Sequence, residues 1–334
     1  MESTRIVYCD DEEPGITRRK MRHGWGYFDV DGNRITDREE IDRLNAIGLP
    51  PAYRDAWFCP RANGHIQAIG WDEKGRKQYR YHPDFRAARE DEKYNLCSAF
   101  GRALPKLRAK VAADLATRAH TKDKTIAAIV RLLDTEHLRI GNETYARTNK
   151  SFGVTTLRDR HADIRGSTLR LQYKAKSGKM RMLTINDGSL ARFVKKCQDL
   201  PGQKLFQYVD AAGEPRPVTS GDVNDYIRTA MGGDFTAKHF RTWGASVIAF
   251  ETLAAAKKDI SLKTLLAPVT ERLGNTPAIA RKSYVHPALI ALIKEGQQAF
   301  RAALNLPRSM RYLSRAERGL IAFLETGQQP AEAA

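Results

Sequence analysis

Cysteine is scarce in this sequence, and the four present (Cys9, Cys59, Cys97 and Cys197) form neither a Cys-x-x-Cys pair nor a Cys/His cluster with zinc spacing. That excludes a disulfide framework and a structural zinc site, and it predicts reduced thiols in a cytosolic protein. Long apolar runs are missing as well. No stretch reaches transmembrane length, Met1–Lys20 carries no apolar signal core, and no basic amphipathic helix shows a strong apolar face. A membrane role is therefore not expected. Negative charge is in short supply: 39 Asp and Glu stand against 56 Lys and Arg, a formal net charge of +17. The carboxylates do not gather into a cluster suited to a two-metal site, so neither a metal nor another cofactor is expected.

What is present fits a soluble globular protein long enough for two domains, with 42% hydrophobic residues over 334 positions. The positive surplus points to a polyanionic partner. It is also clustered. Between Arg147 and Arg181 there are ten Lys and Arg against only Asp159 and Asp163, a local field that phosphates would feel.

The hydrophobic pattern divides the chain in two. Residues 26–30 and 34–35 flank an Asp31-Gly32 turn and read as a hairpin. Thr36 with Glu39 reads as a capping box opening a short helix that ends at Gly48. Segments 56–59, 65–71 and 77–82 read as strands, giving a small, mostly antiparallel sheet. From about Pro83 the period becomes 3.6. Leu104, Leu107, Val111 and Leu115 line one helix, Thr121 caps the next, and helices are expected over 189–200, 219–231 and 236–256. A hairpin, 169–174 with 180–185, interrupts them. Thr276-Pro277 supplies an N-cap followed by proline at the first helical position, opening a turn that reaches Tyr284. The expected fold is α+β: a β-rich N-terminal domain over 1–85, a larger mainly helical domain over 86–326 with a β-hairpin insertion, and a frayed tail over 327–334.

Several residues in this frame could carry chemistry. On strand 77–82, Gln78 and Arg80 share one face and Lys77, Tyr79 and Tyr81 the other. Glutamine can read a base edge, while arginine and lysine hold phosphates; a half-buried strand with an aromatic core side is the plainer alternative. Arg139 follows a long amphipathic helix and could grip a phosphate with two parallel hydrogen bonds. Lys176 lies at the hairpin tip among other cations, a place that suits a proton donor as well as a solvated loop lysine. Arg241 enters an apolar helix beside Phe240 and Trp243, which demands an anionic partner; an internal carboxylate such as Glu251 would serve equally well. Tyr284 follows Asn275 by nine positions, and a phenol deprotonated by surrounding cations can attack phosphorus.

The order Arg139, Lys176 on a hairpin, Lys238-x-x-Arg241, Gly274-Asn275-Thr276-Pro277 and Tyr284 resembles the type IB DNA topoisomerases, in particular their compact poxvirus-like and bacterial members. The resemblance extends through Leu49-Pro50-Pro51-Ala52-Tyr53, Gly64-His65-Ile66-Gln67-Ala68, Gly75-Arg76-Lys77-Gln78-Tyr79-Arg80-Tyr81-His82 and Arg139-Ile140-Gly141-Asn142-Glu143. It implies an enzyme that relaxes supercoiled duplex DNA without ATP or metal. Tyr284 would be the nucleophile that forms a 3′-phosphotyrosyl bond. Arg139 and Arg241 would clamp the non-bridging oxygens, and Lys176 would protonate the leaving 5′-oxygen. The fifth position, usually histidine in that family, is Asn275 here. An amide can donate one hydrogen bond to the phosphate but cannot carry charge, so a neutral contact is expected and proton transfer is not. Gln78 on a base edge and Tyr79 on a phosphate carry over from matching positions, with Lys77, Arg80, Tyr145 and Lys238 expected as further DNA contacts. The family also implies a monomer that closes as a clamp around double-stranded DNA, in a cytoplasmic, nucleoid-associated setting.

Two alternatives share part of this pattern. A tyrosine recombinase uses the same helical catalytic fold, but usually has histidine where Lys238 stands and begins with a helical domain rather than a β-rich one. A non-catalytic DNA-binding protein would account for the charge but not for the ordered Arg, Lys, Arg, Asn and Tyr.

Overall fold

A computed structural model describes residues 5–326; the tail expected at 327–334 lies outside them. The chain forms two compact units that part between Glu92 and Lys93. The first holds strands β1 (Ile16–Met21) and β2 (Gly24–Phe28), helix α1 (Arg38–Ala46), and strands β3 (Arg54–Phe58), β4 (Ile66–Trp71) and β5 (Lys77–Tyr81). The strands make one antiparallel sheet in the order β2-β1-β3-β4-β5. β4 is buried from Ile66 to Gly70, and Ile16, Tyr27, Leu44, Leu49, Phe58 and Ala68 form the core between sheet and helix.

The expected turn at Asp31-Gly32 forms: the Asp29 N–H donates to the Asn33 carbonyl and the Ile35 N–H to the Tyr27 carbonyl, both at 2.9 Å, with Phe28 bridged to Arg34. The sequence pattern missed a longer hairpin before it, in which β2 pairs with β1 through Arg22-His23, with Met21 opposite Gly24. β1 was hidden because its residues read as charge. Arg18 nevertheless sits part-buried, donating to the carbonyls of Leu49, Pro50 and Tyr53 and lying 4.3 Å from the centroid of the Trp25 ring. One expectation about this unit needs correction: the N-cap of α1 is Asp37 rather than Thr36. The Asp37 carboxylate accepts from the N–H groups of Glu39 and Glu40, and aspartate caps a helix at least as well as threonine.

Helix α2 (Pro83–Ala116) begins in the first unit and continues into the second. There follow α3 (Lys122–Glu136), α4 (Glu143–Asn149), strands β6 (Ala162–Arg165), β7 (Thr168–Lys174) and β8 (Met180–Asn186), then α5 (Gly188–Gln198). A small ribbon of β9 (Gln207–Val209) and β10 (Pro215–Pro217) precedes α6 (Ser220–Met231), α7 (Ala237–Ala255), α8 (Leu262–Leu273), α9 (Pro277–Ser283), α10 (Pro287–Ala291), α11 (Gln297–Ala303) and α12 (Arg315–Thr326). The helices expected from periodicity fall within two residues of α5, α6 and α7. α7 occupies the centre. Phe240, Trp243, Ala249, Phe250 and Leu253 are all buried, and α3, α6, α8 and α12 pack around it.

The hairpin insertion forms as expected. β7 and β8 pair without a break from Thr168 opposite Asn186 to Lys174 opposite Met180. The short strand β6, which the sequence pattern did not reveal, covers β7 only from Thr168 to Leu171. Beyond Leu171 the ribbon is two-stranded. Among the described residues, all four cysteines are free and no helix is long and apolar enough to cross a membrane.

Candidate active site

Four of the five expected reactive residues meet in the second unit, and the helix ends explain why. Gly274 closes α8 in the left-handed conformation, with φ of 68°, which glycine adopts without steric cost. Thr276 then caps α9, accepting from the Ile279 N–H, with Pro277 at the first helical position. Asn275 is the single residue between the two helix boundaries, so both caps fix its backbone. α9 ends at Tyr284, whose N–H donates to the Ala280 carbonyl at 3.1 Å. α2 holds this end of α9: Lys93 Nζ donates to the Ser283 carbonyl at 2.8 Å and Tyr94 Oη to that of Lys282 at 3.3 Å.

Arg241 is 5% exposed on α7. Its guanidinium donates to the carbonyl of His137, to the carbonyl of Leu273 at 3.1 Å and to Asn275 Oδ1 at 3.2 Å. Its Nε is buried without a partner. Its carbon lies 4.8 Å from the Tyr284 ring centroid. No carboxylate pairs with it among the described residues, so the internal partner suggested by Glu251 is not there. Glu251 stands ten positions further along the same helix. Burial, and then the nearby Arg139 charge, pull the Arg241 guanidinium down to about 10.

Arg139 follows α3 and donates to Asn275 Oδ1 at 2.7 Å. Both arginines are donors only, so the Asn275 oxygen must face them and its Nδ2 must point elsewhere. That Nδ2 is buried with no partner. Burial alone would raise the Tyr284 phenol, but Arg241 and then Arg139, through charge and hydrogen bonding, outweigh it and hold it below its ordinary value. The result is a phenol, two guanidiniums and one free amide donor in one place, with no carboxylate hydrogen-bonded to them among the described residues.

Lys176 is not part of this contact set. It is exposed at the hairpin tip and makes no hydrogen bond or ion pair among the described residues. Its hairpin does reach the site: Tyr173 on β7 is 3% exposed and its phenol feels the charges of Arg181, Arg241 and Arg139. Lys238 is exposed on the first turn of α7, and Tyr145, half exposed, stands on α4 behind the Asn142 cap.

In the first unit, the expected DNA-facing strand is β5. Lys77 pairs with Asp11, Gln78 Nε2 donates to Asp72 at 3.0 Å, and Arg80 donates to the Gly48 carbonyl at 3.1 Å. Tyr79 and Tyr81 stack at 5.9 Å and are 40% and 47% exposed. The aromatic side of β5 is thus the open one, not a core side. A residue that sequence reasoning left in the general charge count is Arg181, which donates to the carbonyls of Glu271 and Arg272 at the end of α8. The signal available was weak: an arginine near the hairpin tip looks like any other member of the run.

The comparisons with known proteins point to one family. Residues 82–295 match the family model described as eukaryotic DNA topoisomerase I, catalytic core, and residues 24–72 match that of the bacterial DNA topoisomerase IB N-terminal domain. The chain is similar to DNA topoisomerase 1B of Acanthamoeba polyphaga mimivirus, 32% identical over 300 residues that cover 86% of this chain and 89% of the relative. It is also similar to DNA topoisomerase 1 of Mycosarcoma maydis, 25% identical over 200 residues, which are 53% of this chain and 19% of that one.

Proposed function

The chain belongs to the type IB DNA topoisomerases, and we propose that it relaxes supercoiled duplex DNA, without ATP or a metal ion, by cutting one strand through Tyr284. The observation that carries this reading is Arg241, a buried guanidinium with no carboxylate partner that lies against the Tyr284 ring and shares Asn275 with Arg139. A desolvated cation of this kind is costly unless an anion completes it, and a scissile phosphodiester has the required charge and shape.

The step balances within the chain and the DNA. The phenolate oxygen of Tyr284 attacks phosphorus, forming the P–Oη bond as the P–O5′ bond breaks. Arg139, Arg241 and the Asn275 amide receive the charge that builds on the non-bridging oxygens. Lys176 delivers a proton to the departing 5′-oxygen, with the hairpin tip brought to the phosphate when DNA is bound. The phosphodiester energy is kept in the tyrosyl ester, so the 5′-hydroxyl can attack in return after the free strand has swivelled. The exposed side chains of β5, Tyr79, Arg80 and Tyr81, serve with Gln78 as DNA contacts of the first unit, and a single copy closes around the duplex.

A plasmid relaxation assay in EDTA without ATP tests the reading. The expected result is relaxation by the wild type and none by Tyr284→Phe, with duplex binding retained. Full activity in the phenylalanine variant, or a strict need for ATP or a divalent ion, would overturn it.

A further inference from the structure

We propose that Arg181 is a positioning residue for strand cleavage: it ties the hairpin that carries Lys176 to the helix end that presents Asn275. This rests on the reading of Lys176 as the proton donor and Asn275 as a phosphate ligand. The need for such a tie follows from the topology. β6 supports β7 no further than Leu171, so from Gln172 to Met182 the insertion is a two-stranded ribbon, which is marginally stable in water by itself. Lys176 sits at the end of that ribbon.

Tyr173 and Ala175 pack one side of the ribbon against the core, and two hydrogen-bonded contacts hold its backbone and edge. The Phe152 N–H donates to the Lys174 carbonyl at 2.8 Å. Arg181, opposite buried Tyr173 in the register, donates to the carbonyls of Glu271, at 3.3 Å, and Arg272. Arg181 has no ion pair among the described residues. Its donors go instead to the last turn of α8, where carbonyls lack intrahelical partners and the helix dipole favours a cation. That helix end is itself anchored. Arg272 pairs with Glu136 at 3.2 Å and donates to the Thr135 carbonyl at 2.6 Å. The joint is also tight, since a Cβ on Gly274 would lie 2.9 Å from Arg181 Nη1. The next residue is Asn275. Arg181 therefore connects a fixed part of the site, the α8 end, to the hairpin that carries Lys176.

Single-turnover cleavage by the full-length protein separates this role from a purely structural one. The substrates are duplexes with oxygen or sulfur at the 5′-bridging position of the scissile phosphate. Sulfur leaves without needing a proton, so a fault in placing Lys176 is felt on oxygen alone. Arg181→Ala should slow the oxygen substrate by about thirtyfold and the sulfur substrate by less than about threefold, the scale expected for a slightly misplaced group. Arg181→Gln keeps a donor, shows the same split at smaller size, and serves if the alanine variant does not fold. An equal loss on both substrates, or no loss on oxygen, would overturn the proposal. Lys176→Ala runs alongside. If sulfur does not rescue it, the reading of Lys176 has failed, and the tie is then judged by hydrogen exchange in the DNA-free protein. Arg181→Ala should speed exchange of amides 172–182 by about tenfold while those of α5 keep their protection; unchanged exchange there refutes the tie.

Discussion

Arg241 illustrates how a side chain's surroundings decide its chemistry. The sequence left open an internal carboxylate, such as Glu251, as its partner. Tertiary placement sends Glu136 to Arg272 and Glu317 to Arg108, which leaves Arg241 with carbonyl and amide oxygens. The candidate residues could be picked out because their order and local motifs are present in the chain. What each one touches could not be, because the partners lie as far as 136 positions away, as for Arg139 and Asn275. The pH dependence follows from the same contacts. Arg241 and Arg139 favour the charged phenolate, so the Tyr284 limb of a pH–rate profile lies below that of an ordinary phenol. Removing a cation raises the phenol, and less phenolate is present at any given pH. Arg241→Gln should therefore lose about 10²–10³ in single-turnover cleavage rate and shift this limb to higher pH. A loss in rate with the limb unmoved would show that the guanidinium does not act on the phenol.

Among the elements, helices were read more faithfully than strands. α5, α6 and α7 keep the apolar period that announced them. β1 has the sequence of a solvent-exposed loop, and β6 is four residues long; both owe their structure to a neighbour rather than to their own pattern. The helices of the second unit are tied by another feature that no periodicity predicts. Arg108 on α2 donates to Asp134 on α3 and to Glu317 on α12, each through paired nitrogens at 2.7–3.0 Å. Glu317 also accepts from the Trp243 indole of α7 at 3.3 Å. Arg108→Ala would leave two largely buried carboxylates facing each other. It should lower the unfolding free energy by about 3–5 kcal/mol, measured by urea titration. A change under about 1 kcal/mol would mean that the network contributes no more than a surface pair.

Across the whole molecule the charge is unevenly shared. Residues 1–92 carry 16 Lys and Arg against 18 Asp and Glu, and the remainder of the chain 40 against 21. The net positive charge thus resides entirely in the helical unit, although the sequence total alone gave no hint of the division. Phosphate contacts release counterions in proportion to their number, so duplex affinity should fall steeply as salt rises. Paired Lys and Arg substitutions to glutamine in the 147–181 run should flatten a plot of log affinity against log salt by about one unit per lost phosphate contact. An unchanged slope would place the DNA away from that surface.

The partners that surround Tyr284 have a last consequence for what happens after cutting. Arg139, Arg241 and Asn275 make their contacts with guanidinium, carbonyl and amide groups; none of those partners is a carboxylate or an imidazole ring that could take a proton from water. In the proposed tyrosyl ester, a water molecule drifting to the phosphorus would find among those contacts charge to hold the phosphate but no base, and for Lys176 it would have to compete with the strand end. The displaced strand end, returned by base pairing and facing the same lysine that released it, has no such handicap. A nick left open by hydrolysis is thereby disfavoured, and resealing becomes the ordinary way out.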